Sequence, residues 1–198
     1  MNDKNRIIES TSFIFSLYGV KAVSMDDVAI HCGMSKKTLY QYFESKEKLV
    51  LSLIEYRVSK HEQFIRVCPG ISPDAVTEMC NFFKHLQNTM DAITPVFYRD
   101  LKKYFPAAWQ LLVDYRKNVL IPFINLNLNR GITEEVYRAG FNKKVTGWLY
   151  LWHLQNALED ASLSGEDRQQ LVHYANSFFL HGVLTPKGLK MVLTCHNK

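Results

Sequence analysis

Apolar residues recur at helical spacing along the whole chain, and no stretch alternates for long enough to make a strand. Over Asp3–Tyr18, the residues Ile7, Ile8, Thr11, Ile14, Phe15 and Tyr18 share one face, and Gly19 supplies the stop. Residues 24–49 read as two short helices around a tight turn, followed by the capped start of a third helix. That third helix runs from Lys46 to about Val67, with Leu49, Val50, Leu53, Ile54, Arg57, Val58, His61 and Ile65 on one stripe. Pro69-Gly70 breaks the chain and marks a boundary. Ser72 and Pro73 then read as a cap and first-turn proline for a helix carrying Val76, Met79, Phe82, Phe83, Leu86 and Met90. Thr94-Pro95 opens a shorter helix, and Pro106 opens a long one through Trp109, Leu112, Val113, Arg116 and Leu120. Pro122 interrupts it, because proline removes a backbone donor and crowds the preceding turn. Gly131 ends that region, and 131–141 reads as a short helix plus loop. Two long helices over 142–163 and 166–184, parted by Ser164-Gly165, and a short one after Pro186 complete an all-α chain.

The stretch over 24–49 carries the most information. Ser24 can cap the first short helix, with Asp27 at the capping-box distance. Val28 and Ala29 can face inward, and Gly33 ends the helix in a left-handed conformation at little steric cost. Ser35 caps the second helix, whose Leu39 forms one buried stripe with Phe43. Ser45 caps the next. Tyr40, Gln41 and Tyr42 cannot all be buried, and Lys36, Lys37 and Thr38 occupy a first turn whose dipole favours phosphate. This is the layout of a helix-turn-helix that presents its second helix to the DNA major groove.

With Val28, Ala29, Gly33, Met34, Ser35, Thr38-Leu39-Tyr40, Tyr42-Phe43, Ser45-Lys46-Glu47 and Leu49, the chain resembles the TetR family of bacterial transcription regulators over roughly residues 5–55. Lys37 departs from the pattern, since many members carry Gly there. The resemblance implies a three-helix helix-turn-helix DNA-binding domain over 1–48, joined by a long helix to a helical effector-binding and dimerisation domain over 49–198. It also implies a homodimer on a palindromic operator, with repression as the default. The last two long helices would form a four-helix bundle with their copies, Trp148, Trp152, Leu171, Phe178 and Phe179 lying at the interface. The contacts expected at DNA are Ser24, Ser35, Lys36, Lys37, Thr38, Tyr40, Gln41, Tyr42, Lys46 and Lys48. Tyr40, Tyr42 and Lys46 suit phosphate, whereas Lys36, Lys37, Thr38 and Gln41 suit base edges.

Composition changes this picture only slightly. A hydrophobic content of 47% suffices for a well-formed core. The net charge of +5 is not concentrated in the DNA-binding end, where residues 1–60 hold nine basic against seven acidic side chains. Local charge therefore says more about DNA than the total does. The N-terminus lacks the pattern of a secretory signal, and no apolar run is long enough to span a membrane. Four scattered cysteines, with no CxxC pair, fit reduced thiols and a cytoplasmic setting. A redox-sensing cysteine remains open.

The second half is rich in aromatics. The resemblance implies an effector pocket there for a small apolar or aromatic molecule, with Phe82, Phe83, His85, Tyr98, Trp109, Arg116, Phe123, Trp152, His153 and Asn156 as candidates. Ordinary core packing is the alternative for each aromatic, and for His153 a structural role beside Trp152. No catalytic or metal-binding motif is present, so no enzyme activity and no cofactor are expected. Two further readings stay open: a small-molecule binding or catalytic module with a vestigial helix-turn-helix, and a non-specific architectural DNA binder.

Overall fold

The computed structural model describes residues 3–90 and 93–195. Its helices are α1 (Asp3–Tyr18), α2 (Met25–His31), α3 (Lys36–Tyr42), α4 (Lys46–Ile71), α5 (Ala75–Met90), α6 (Pro95–Tyr104), α7 (Pro106–Tyr115), α8 (Ile121–Thr133), α9 (Lys143–Glu159), α10 (Gly165–Val183) and α11 (Pro186–Cys195). The side chain of Met90 lies outside the described part. Among the described residues the only β-type pairing is an isolated antiparallel bridge between Tyr137 and Leu184. No described helix is long and apolar enough to cross a membrane.

Contacts divide the chain into two units: Met1–Lys60 with Ala92–Asp114 and Leu158–Ala161, and His61–Asp91 with Tyr115–Ala157 and Ser162–Lys198. This differs from the expected boundary after residue 48, because α6 and most of α7 pack with the helix-turn-helix. Ile7, Phe15, Val28, Leu39, Phe43, Leu49, Leu53 and Ile54 share the core of the first unit with Phe97 and Leu101. Burying each such side chain contributes about 1.5–3 kcal/mol. Polar ties lock α6 to the chain around α1. The backbone N–H and the hydroxyl of Thr94 both donate to the Ser16 carbonyl, at 3.0 and 2.8 Å. The buried Asp100 carboxylate accepts the Lys21 backbone N–H at 2.7 Å.

The second unit is built on α5, α8, α9 and α10, with Val76, Met79, Phe82, Leu86, Ile124, Leu128, Leu154 and Leu180 buried. Arg130 organises a polar network within it. Its guanidinium donates to Glu78 and Glu134, both at 2.6 Å, and to the Ser72 carbonyl at 3.0 Å. Glu134 in turn accepts the Ala75 N–H at 2.8 Å. The buried Tyr137 hydroxyl donates to the Ala75 carbonyl at 3.0 Å.

Proline and glycine account for most departures from the expected boundaries. Helix α4 does not stop before Pro69 but runs through it to Ile71. A proline so near the end costs one donor, and the Arg130 guanidinium reaches the Pro69 carbonyl at 3.4 Å. The cap of α5 is Asp74 rather than Ser72, since its side chain accepts the Thr77 N–H at 2.8 Å. Pro122 interrupts its helix as expected, through a π-helical turn over Arg116–Leu120 in which the Ile121 N–H bonds back to Arg116. Gly131 is not a stop. It lies inside α8, where any Cβ would overlap the Tyr137 ring. Gly131→Ala is therefore expected to lower stability by about 1–3 kcal/mol, read as a reduced urea midpoint at unchanged slope.

Candidate nucleic-acid interface

Helices α2 and α3 have seven residues each, too short to persist alone, so local bonds must define them. Ser24 and Asp27 form a complete capping box: the Asp27 N–H reaches the Ser24 oxygen at 3.1 Å, and the Ser24 N–H reaches the Asp27 carboxylate at 2.8 Å. The Ser24 hydroxyl and backbone bonds hold the Asp27 pKa below the ordinary carboxylate value. At the far end of α2, Gly33 adopts φ +66°. Its N–H bonds to Ile30, and the Met34 N–H bonds to Ala29, each at 3.0 Å. That double closure turns the chain at little cost with Gly in the left-handed position. Ser35 then caps α3 by accepting the Thr38 N–H at 3.1 Å, and the two hydroxyls are 2.8 Å apart.

Leu39 and Phe43 are buried, which fixes the rotation of α3. The opposite face carries Lys36, Lys37, Tyr40 and Gln41 toward solvent, with Tyr40 41% exposed. Lys36 pairs with Asp26 at 2.7 Å, and that bond raises the ammonium pKa. Both side chains are exposed, so the pair is weak. The Tyr42 hydroxyl donates to Asp3 at 3.2 Å, and the Asp3 charge pushes the phenol pKa up. Lys48 is exposed in the first turn of α4.

Lys46 is turned inward. Its ammonium donates to the Lys21 carbonyl at 3.2 Å and lies 5.9 Å from the centres of the Phe15 and Phe105 rings. Burial pulls its pKa below the ordinary lysine value, against the opposing pull of Asp100. Ser24, Ser35 and Thr38 spend their side chains on helix caps. The solvent face of α3 therefore reduces to Lys36, Lys37, Tyr40 and Gln41, flanked by Tyr42 and Lys48.

The aromatic candidates do not gather at one place. Phe82, Phe83 and Phe123 are core residues of the second unit. His85 and Arg116 are half-buried there, with Arg116 bonded to Gln155. Tyr98 and Trp109 belong to the first unit. Trp152, His153 and Asn156 are exposed on α9. Of the five residues assigned to a subunit interface, Phe179 is buried against Phe83 and Tyr150, with ring centres 6.0 and 4.9 Å away. Trp148, Trp152, Leu171 and Phe178 are exposed, Phe178 to 80%.

Sequence reasoning named only His85 as a site candidate in a separate aromatic cluster. Phe64 stacks on His85 at 3.8 Å and 6°, while His61 meets His85 edge-on at 4.9 Å and approaches Tyr115 at 6.1 Å. Only the 61/64 spacing on one helix hinted at it.

Residues 7–53 match the model of the bacterial regulatory proteins of the tetR family. YvaF, an uncharacterized HTH-type transcriptional regulator of Bacillus subtilis, is 29% identical over 108 residues, covering 54% of this chain and 53% of that protein. YerO, another from the same organism, is 41% identical over 59 residues, covering 29% of this chain and 20% of that protein. The chain thus spans about a fifth to a half of the length of these curated relatives. A TetR-family regulator from Agrobacterium tumefaciens superposes with a TM-score of 0.76 at 14% identity, over 92% of this chain and 97% of that one. A TetR regulator from Legionella pneumophila gives a TM-score of 0.76 at 16% identity, over 92% and 98%. Fold and interface together define a helix-turn-helix protein. Over residues 7–53 the chain matches the tetR family of bacterial regulatory proteins, and beyond them its likeness to solved TetR regulators is one of fold.

Burial lowers the His85 pKa below its ordinary value, so the folded state favours the neutral ring. Stability from this site is fully present above about pH 6.5 and is lost as pH falls toward the lowered value. His85→Phe, which keeps the stack, is expected to lose less stability than wild type between about pH 7 and pH 5, measured by urea titration at each pH.

Proposed function

We propose that the protein is a sequence-specific DNA-binding transcriptional regulator, not an enzyme, that acts as a ligand-responsive repressor on a palindromic operator as a homodimer. The observation that carries this reading is α3. Its inner face is locked by Leu39 and its ends by Ser35 and Phe43, while Lys36, Lys37, Tyr40 and Gln41 face outward together. Such a helix offers donors and acceptors to base edges and cations to phosphates. Two further features support the homodimer. Val145, Trp148, Leu149 and Trp152 on α9, with Leu171, Tyr174 and Phe178 on α10, are exposed large apolar residues, more than a solvated face normally carries. Two copies would also match the two-fold symmetry of a palindromic operator.

Fluorescence anisotropy on selected and scrambled duplexes across a salt series tests the interface. Lys37→Ala is expected to weaken both duplexes and to lower the salt slope by about one per lost phosphate contact. Gln41→Ala is expected to cost about 1–3 kcal/mol on the selected duplex and to relax preference at one base position. Lys46→Met is expected to leave the salt slope unchanged, because its ammonium is held against Lys21. A folded Gln41→Ala, Lys37→Ala double variant that binds like wild type would place the reading surface elsewhere.

Phe178→Glu puts a charge on the exposed apolar face of α10. Light scattering at micromolar concentration is expected to report twice the 23.0 kDa chain mass for wild type and a single chain for the variant. Wild type at single-chain mass would contradict the homodimer.

A further inference from the structure

Two buried polar atoms in the second unit have no hydrogen-bond partner among the described residues and lie at one cluster of rings: the Tyr115 hydroxyl and His85 Nε2. Leaving such atoms unpaired is costly, and native structures rarely keep them without a use. Tyr115 is only 8% exposed, so bulk water does not satisfy it. Both groups flank His61, whose ring centre lies 4.9 Å from that of His85 and 6.1 Å from that of Tyr115. Phe64 lies flat on His85, 3.8 Å away and 6° from parallel, which gives the cluster an aromatic plate. An apolar plate beside unpaired polar atoms is the ordinary make-up of a small-molecule site.

We propose that Phe64, His85 and Tyr115 form a recognition site for a flat, uncharged, apolar molecule that carries a carbonyl-type hydrogen-bond acceptor. This deepens the ligand-responsive reading and rests on it. The acceptor follows from the phenol, whose O–H is its stronger hydrogen-bonding half because the oxygen lone pair is delocalised into the ring. The absence of ligand charge follows from the surroundings. Burial drives Tyr115 toward its protonated form and His85 toward its neutral form, and a dry site disfavours any ion. Glu62 is the charged group whose field reaches Tyr115, and it opposes an anion there. Arg116 spends its guanidinium on Gln155. Flatness follows from the parallel Phe64 and His85 rings, on which a planar molecule gains an offset stack.

Four probes of one shape test the proposal by calorimetric titration of the full chain: acetylnaphthalene, ethylnaphthalene, naphthoate and naphthylmethylammonium, all substituted at the same ring position. The ketone is expected to bind about tenfold more tightly than the ethyl compound, the effect of one buried hydrogen bond. It should also bind more tightly than either ion. Tyr115→Phe is expected to bring the ketone down to the affinity of the ethyl compound. Because the hydroxyl has no partner among the described residues, the same variant should melt at a temperature equal to or above that of wild type. His85→Phe keeps the plate and is expected to weaken the ketone by a smaller factor. No saturable binding of the ketone, equal binding of ketone and ethyl compound, tightest binding by an ion, or a lowered melting temperature in Tyr115→Phe would each overturn the site. Release of operator DNA by the ketone is measured separately. Ketone preference without DNA release leaves this site standing and removes the ligand-responsive repressor. DNA release without ketone preference does the reverse.

Discussion

Seven-residue helices do not persist in water without outside support, and the proposed reading surface of this protein is one of them. Helix α3 exists because Leu39 and Phe43 are fully withdrawn into a core supplied by α1, α4 and α6, and because the Ser35 side chain satisfies its first turn. Those anchors also fix which way it faces. With Leu39 inward, Lys36, Lys37, Tyr40 and Gln41 are outward without further instruction. The Gly33 turn does the same for the angle between α2 and α3, since its backbone bonds close only with a left-handed residue at that position. Presentation of this outward face is thus a by-product of core packing and capping, not of strong contacts among the exposed side chains themselves.

Most of this was readable in the sequence, because caps, left-handed glycines and helical spacing are local signals. The capping box at Ser24, the turn at Gly33 and the full extent of α1 follow from residues a few positions apart. The errors came where a distant residue overrides a local rule. Pro69 fails to end α4, and the turn that follows is held by Arg130, sixty-one positions away. Gly131 looked like a helix stop, yet its missing side chain makes room for Tyr137. The recruitment of α6 to the first unit depends on Asp100 and Thr94, whose partners near α1 no spacing rule identifies.

The candidate site divides in the same way. Which helix faces outward was readable, but not the present partner of each side chain. Lys46 is an exposed cation by sequence pattern and a tucked one in the structure, held by the Lys21 carbonyl between Phe15 and Phe105. In the second unit, composition pointed to aromatics in general. It could not single out Tyr115, whose distinguishing property is a hydroxyl that finds nothing to bond among the described residues. That property belongs to three-dimensional neighbours drawn from α4, α5 and the end of α7. Phe179 shows the converse: an apolar residue on a helix expected to pair with its copy is used within its own unit.

The proposed function requires α3 to read a specific sequence from the major groove in a two-fold arrangement. The most direct test is selection of bound duplexes from a random pool by the full chain, followed by hydroxyl-radical footprinting on the enriched sequence. The expected result is an enriched inverted repeat, protected in two symmetric patches that flank the major groove of each half-site. Enrichment of no sequence, or protection without two-fold symmetry, would contradict it.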